Sequence, residues 1–261
     1  MNDAPIGVFD SGLGGLTVWS ELYKKLPHES LLYFGDGKNC PYGDKTQTEV
    51  TAYVDEAVRQ MIAQGVKMVV IACNAATAMA IDHLRRSYSI PFIGLEPAVK
   101  PAALSSRSGV IGVLATAATL RGRLFRETSQ RYADRVEILS AVGRGFVELV
   151  EADQEHTSEA VETVARIVSP MLERGADRLV LGCTHYPFLQ DALREVIGSR
   201  EVELINPASA IERRVESLLE QHGLQAAEDH NPEYTFMTAA DEVYRRRLMA
   251  KSEQARQMSF E

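Results

Sequence analysis

The chain has 261 residues, 45% hydrophobic and 25% charged, and its 28 Lys and Arg against 36 Asp and Glu leave a net charge of −8. That size fits one large domain or two small ones with real cores, and the composition excludes disordered, collagen-like and low-complexity chains. The acidic balance argues against a general nucleic-acid binder, and apolar runs such as Met68–Cys73 fall far short of the ~20 residues that cross a bilayer.

The opening Met1-Asn2-Asp3-Ala4-Pro5 has no basic region or cleavage site, so a cytoplasmic protein without membrane contact is expected. Short apolar runs predict strands at 6–9, 30–34, 67–72, 92–95, 110–115, 136–140, 178–182 and 202–205. Between them, 46–64, 77–87, 121–132, 158–174 and 187–197 carry apolar residues at helical spacing. Such alternation predicts parallel sheets covered by helices on both faces. Beyond Pro207 a helix to about residue 221, a strand at 234–238 and a last helix are too short for a domain and should pack back onto the rest.

The order repeats itself. Ile6-Gly7-Val8-Phe9-Asp10-Ser11 is similar to Ile111-Gly112-Val113-Leu114-Ala115-Thr116, 105 residues on. Val69-Val70-Ile71-Ala72-Cys73-Asn74 is similar to Leu179-Val180-Leu181-Gly182-Cys183-Thr184, and Glu96-Pro97-Ala98 to Asn206-Pro207-Ala208, each 110 residues on. A repeat this long exceeds a solenoid unit of roughly 20–50 residues. It indicates two related α/β halves with a boundary near residues 98–108.

In open α/β sheets, ligands sit beyond the carboxyl ends of strands. Asp10-Ser11, Cys73-Asn74, Thr116 and Cys183-Thr184-His185 all fall at such ends. A single Cys there is ordinarily a small buried hydrophobe. Here two occupy the same place in two repeats, each followed by a helix start that favours the thiolate. Cys40, Cys73 and Cys183 are too few and too scattered for a disulfide framework, a zinc site or a C-x-x-C redox pair. A Cys–His hydrolase would use Cys183 and His185 but leave Cys73 idle. Two acid–base thiols suit moving a proton from one face of a carbon to the other, which is racemisation.

The turn Asp10-Ser11-Gly12-Leu13-Gly14-Gly15 fails both dinucleotide and P-loop patterns and reads better as a tight turn aiming backbone N–H groups and Ser11 at a small anion. Pro41-Tyr42-Gly43 is a turn with one hydroxyl to offer, and of the six histidines only His185 adjoins a candidate site. No residue cluster calls for a metal or a cofactor.

These segments, with Tyr33-Phe34-Gly35-Asp36, Ile93-Gly94-Leu95-Glu96-Pro97 and Gly182-Cys183-Thr184-His185-Tyr186-Pro187, resemble the cofactor-independent glutamate racemases of the aspartate/glutamate racemase superfamily, in the family's order and nearly end to end. The resemblance implies Cys73 and Cys183 as proton-transfer thiols and Asp10 and His185 as groups tuning or relaying protons. Glu151 would assist from behind them. Ser11, Tyr42, Gly43, Asn74, Thr116, Thr119 and Thr184 would hold glutamate, with the Ala75 N–H replacing a hydroxyl the family usually has there. The run Gly37-Lys38-Asn39-Cys40, Glu148 and Asn206 also depart from the usual pattern.

The expected architecture is two pseudo-twofold-related, doubly wound, Rossmann-like parallel-sheet domains with the active site between them: residues 1–98 with 208–261, and 99–207. The resemblance further implies D-glutamate supply for peptidoglycan, a homodimer, and gyrase binding as a second role at most. Without the long N-terminal extension of precursor-activated members, activity without a nucleotide-sugar activator is expected. A racemase for aspartate or of broad specificity, or a gyrase-binding protein, are the alternatives.

Overall fold

The structure, a computed structural model, describes residues 1–258. In chain order the first elements are β1 (Ile6–Asp10), α1 (Leu16–Lys25), β2 (Leu31–Gly35), α2 (Gln47–Ala63), β3 (Met68–Ile71), α3 (Asn74–Ser87) and β4 (Phe92–Gly94). There follow α4 (Val99–Ser105), β5 (Val110–Ala115), α5 (Ala117–Arg121), α6 (Arg123–Tyr132), β6 (Glu137–Val142), α7 (Phe146–Glu151), α8 (Ser158–Glu173) and β7 (Arg178–Gly182). A 3-10 turn at Tyr186–Leu189 leads to α9 (Gln190–Ile197) and β8 (Glu203–Ile205), and the chain ends with α10 (Ala208–His222), β9 (Tyr234–Thr238) and α11 (Glu242–Gln257).

Two compact units result: Met1–Leu95 joined by the chain from Ala208 onward, and Glu96–Pro207. The first holds a sheet of order β4-β3-β1-β2-β9, the second a sheet of order β6-β5-β7-β8. Every strand pair in both is parallel. Numbered by appearance within its unit, each sheet runs 4-3-1-2, and β9 extends the first beyond β2. The sequence repeat is therefore a repeat of topology. Strands β1, β2, β3 and β7 are buried at every position, as continuous apolar runs covered on both faces must be.

The C-terminal segment joins the first sheet through β9, which pairs with β2 from Leu31↔Tyr234 to Gly35↔Thr238. Helix α11 is tied to α1: Ser20 Oγ donates to Ala255 O at 2.7 Å, and the Arg256 guanidinium lies 4.6 Å from the Tyr23 ring centre and 5.2 Å from that of Trp19. At the amino ends of β2 and β3, Lys67 and Glu29 form a buried pair at 2.5 Å. It is completed by Lys67 Nζ donating to Asn2 O and the Ala226 N–H donating to Glu29 Oε1, so this buried charge is spent on holding the chain together. Among the described residues no helix is long and apolar enough to cross a membrane.

Four helices, α1, α4, α5 and α7, lie outside the predicted set. Seven consecutive α1 residues, Leu16 to Leu22, are buried, which erases the one-sided stripe that marks a helix in sequence. Helices α4 and α7 span seven and six residues, too short to show a period. The helix expected at 121–132 is α6, which begins at Arg123 because Gly122, in an extended conformation, separates it from the five-residue α5.

Candidate active site

In the first unit, the chain leaves β1 toward β2 on one side, while β3 lies on the other. The carboxyl ends of β1 and β3 thus flank the point where strand order reverses, the usual ligand position in such sheets. Asp10-Ser11 and Cys73-Asn74 occupy it. Ser11 Oγ and Cys73 Sγ are 3.6 Å apart. Cys73 caps α3, its sulfur accepting the Ala76 N–H at 3.4 Å, an arrangement that favours negative charge on sulfur.

The glycine-rich turn serves Asp10. The Gly12 N–H donates to Asp10 Oδ1 at 2.8 Å, and Tyr33 OH donates to Gly12 O at the same distance. A β-carbon on Gly15 would fall 2.5 Å from Asp10 Cβ and 2.9 Å from Tyr33 OH. The expected aiming of backbone N–H groups at an anion is corrected in part: Gly12 spends its N–H on a buried carboxylate.

Asn74 lies behind Cys73, only 3% exposed, and neither Oδ1 nor Nδ2 finds a partner among the described residues. An unsatisfied buried polar group costs about 1–3 kcal/mol. A ligand offering both a donor and an acceptor, as an amino acid's ammonium and carboxylate do, would satisfy both atoms. The Ala75 side chain, also buried, offers no polar atom; its N–H, in the first turn of α3, has no intrahelical acceptor.

Tyr42 is buried and donates to Asp36 Oδ2 at 2.5 Å. Its only proton is committed there, so its hydroxyl offers a ligand lone pairs alone; Gly43 follows in the half-buried turn. Asp36, which the sequence reading did not single out, also accepts two contacts from Asn39 Nδ2 at 3.0 Å, and its N–H reaches Asp10 O. Burial pushes the Asp36 carboxyl above its ordinary value despite these donors. Burial, then the Asp36 charge, pushes the Tyr42 phenol up, with Cys73 and Asp10 near enough to add to it. A carboxyl with a raised folded-state pKa favours folding at low pH, and that contribution is lost as pH rises from the unfolded value of 3.8 through the folded one. Asp36→Asn keeps an acceptor and cannot ionise. Its melting temperature relative to the unsubstituted chain should therefore rise as pH increases above about 4, read by calorimetry at each pH.

In the second unit the reversal lies between β5 and β7, bounded by Thr116 and by Cys183-Thr184. Thr116 caps α5, accepting the Thr119 N–H, and the two hydroxyls bond each other at 2.9 Å. Thr184 is buried in the turn after β7. His185 presents Nδ1 to Cys183 Sγ at 3.8 Å and Nε2 to Glu151 Oε1 at 2.7 Å. With the carboxylate accepting from Nε2–H, Nδ1 is an acceptor facing the thiol in the neutral ring and a donor facing the thiolate in the charged one. Sulfur and imidazole are suited to exchange a proton once the 3.8 Å gap between them shortens.

Glu151 ends α7, which packs on the 3-10 turn after His185. Tyr186, to which the sequence reading gave no role, fixes that packing: its ring meets Phe146 edge-on at 5.0 Å, and its hydroxyl donates to Gly143 O. Complete burial, then the nearby Cys183, pushes the Tyr186 phenol well above its ordinary range, so it stays neutral. Within each unit the expected residues come together: Asp10, Ser11, Tyr42 and Cys73 in one; Glu151, Cys183 and His185 in the other. The Thr116–Thr119 pair stands at the same reversal point as Cys183.

The sequence profile of the Asp/Glu/Hydantoin racemase family matches residues 21–215. A glutamate racemase of Herpetosiphon aurantiacus is 40% identical over 94% of this chain and 96% of its own. Among solved structures, glutamate racemase isoform RacE1 of Bacillus anthracis is 31% identical with a TM-score of 0.86, covering 99% of this chain and 97% of its own. The Escherichia coli glutamate racemase, solved with L-glutamate and the activator UDP-MurNAc-ala, is 30% identical with a TM-score of 0.85, covering 97% and 95%. By profile, sequence and fold together, the chain belongs to the Asp/Glu/hydantoin racemase family, in its glutamate racemase branch.

Proposed function

We propose that the chain interconverts L- and D-glutamate by a two-cysteine proton transfer that needs no cofactor, and that the D-glutamate feeds peptidoglycan synthesis in the cytoplasm of a cell where the chain works as a homodimer. The observation that carries the mechanism is the matched pair of thiols: two sheets of one strand order, each with a Cys at the carboxyl end of its third strand. One thiolate takes the α-proton, breaking the Cα–H bond; the opposite thiol gives its proton to the other face of the carbanion. The roles exchange in the reverse direction, and nothing is oxidised or reduced.

The α-proton of an amino acid is far less acidic than a thiol of pKa ~8.5, so the carbanion needs help. Donors to the α-carboxylate stabilise it most, because charge flows into that group. Asn74 Nδ2, the Ala75 N–H, Ser11, the Thr116–Thr119 pair and Thr184 supply candidates. Asp10 attends Cys73, and His185 backed by Glu151 attends Cys183.

Circular dichroism of pure L- or D-glutamate with the purified protein tests the activity. Both signals should decay to zero at equal kcat/KM, because mirror-image substrates have an equilibrium constant of one. Persistence of both signals rejects the reading. Decay of the aspartate signals alone would favour the aspartate racemase.

A further inference from the structure

Gly37 follows Asp36 at the end of β2, and Tyr244 stands in the first turn of α11, both in the first unit. The Tyr244 ring lies so close over Gly37 that a β-carbon on Gly37 would overlap it. Its place is held from both sides. Asp241 caps α11 and accepts the Tyr244 N–H at 2.9 Å; one turn on, the fully buried Leu248 reaches the backbone of β2 at Gly35. A surface groove formed by Lys38, Ala239, Ala240 and Asp241 opens beside the ring, yet Asp36 is buried.

From here a short chain of contacts leads to the site. Asp36, adjacent to Gly37, accepts the Tyr42 hydroxyl and the Asn39 amide, and its N–H donates to Asp10 O. Gly37 has no side chain, and the ring from α11 fills that space. We propose that Tyr244 is a positioning residue for the racemisation proposed above: its ring clamps the Gly37 turn, so that Asp36 holds Tyr42 at the Cys73 site. The inference rests on that functional reading. It makes the C-terminal helix part of how substrate is held, through packing and without contact to the reacting atoms.

Steady-state kinetics with both glutamate enantiomers, at a temperature where every variant is folded, test it. Tyr244→Ala should raise KM roughly three- to tenfold, the worth of one neutral hydrogen bond, with kcat within about twofold. Tyr244→Phe keeps the ring and should stay within about twofold of the unsubstituted chain in both constants. Gly37→Ala should displace the ring and raise KM as Tyr244→Ala does, and should add nothing in the Tyr244→Ala background. An unchanged KM in Tyr244→Ala, a Phe variant as impaired as the Ala variant, or effects that multiply in the double variant would overturn the proposal. Melting temperatures of the unsubstituted chain, the two Ala variants and their double variant need no activity. Coupled melting temperatures with an unchanged KM reject the positioning role and leave the racemase reading intact. An unsubstituted chain that moves no glutamate rejects the racemase reading, and the positioning role with it.

Discussion

Cys73→Ser and Cys183→Ser should each stop racemisation in both directions, by about 10³-fold or more. Removing a positioned acid–base group costs about 10²–10⁴-fold, and a serine hydroxyl is too weak an acid to stand in for a thiol. Both directions must fail together: with an equilibrium constant of one, kcat/KM cannot differ between them. What separates the two variants is a half-reaction. Elimination of halide from a halogenated glutamate analogue needs only the thiol that removes the proton. Each serine variant should therefore retain elimination from one enantiomer and lose it from the other, with opposite preferences. Cys40→Ser, which changes a half-buried thiol with no counterpart in the second repeat, should stay within about twofold of the unsubstituted chain. Racemisation near the normal rate in either active-site variant, or its loss in Cys40→Ser, contradicts the assignment of the two bases.

The second largest effect is expected at His185. His185→Asn removes the group 3.8 Å from Cys183 Sγ and leaves the Cys73 side untouched. A loss of about 10²-fold in kcat/KM is expected, equal in both directions, within the range for a positioned proton relay. The isotope effect is the sharper reading. When Cys183 must remove the α-proton, that step becomes limiting and deuterium at Cα slows the reaction fully; when Cys73 removes it, the effect shrinks. Glu151→Gln, which weakens the hold on His185 Nε2 without removing the ring, should cost about tenfold, close to 1.4 kcal/mol. Isotope effects that stay equal in the two directions for His185→Asn would assign the histidine to substrate binding instead of to Cys183.

The central strands were legible because they are nearly continuous buried apolar runs: the predicted strands at 110–115 and 178–182 coincide with β5 and β7. The order of strands was not read directly, but the repeated Cys73-Asn74 and Cys183-Thr184 segments mark the same place in two 4-3-1-2 sheets. Helix α1 was hidden by its own burial, since a helix covered on all sides carries no stripe. The site divides in the same way. Residues next to a strand end declared themselves: Asp10, Ser11, Cys73 and His185. The contacts that set their geometry come from far along the chain and have no sequence period: Glu151 to His185 across 34 residues, and Tyr244 to Gly37 from the last helix. Asp36 was quoted within a motif without a role. Its burial beside Tyr42 is a property of the packing, invisible until the turn at 36–43 is seen to fold back on itself.

The measurement that bears most directly on two-base chemistry is solvent deuterium incorporation early in the reaction, started in D₂O from each pure enantiomer. With two thiols on opposite faces, one removes the substrate's proton while the other delivers a deuteron from solvent. The product enantiomer should carry deuterium at Cα from the first turnovers, while recovered substrate keeps its protium, and the pattern should hold from both L- and D-glutamate. Deuterium entering recovered substrate as fast as product, or product retaining the substrate's own proton, would show a single base serving both faces and contradict the account.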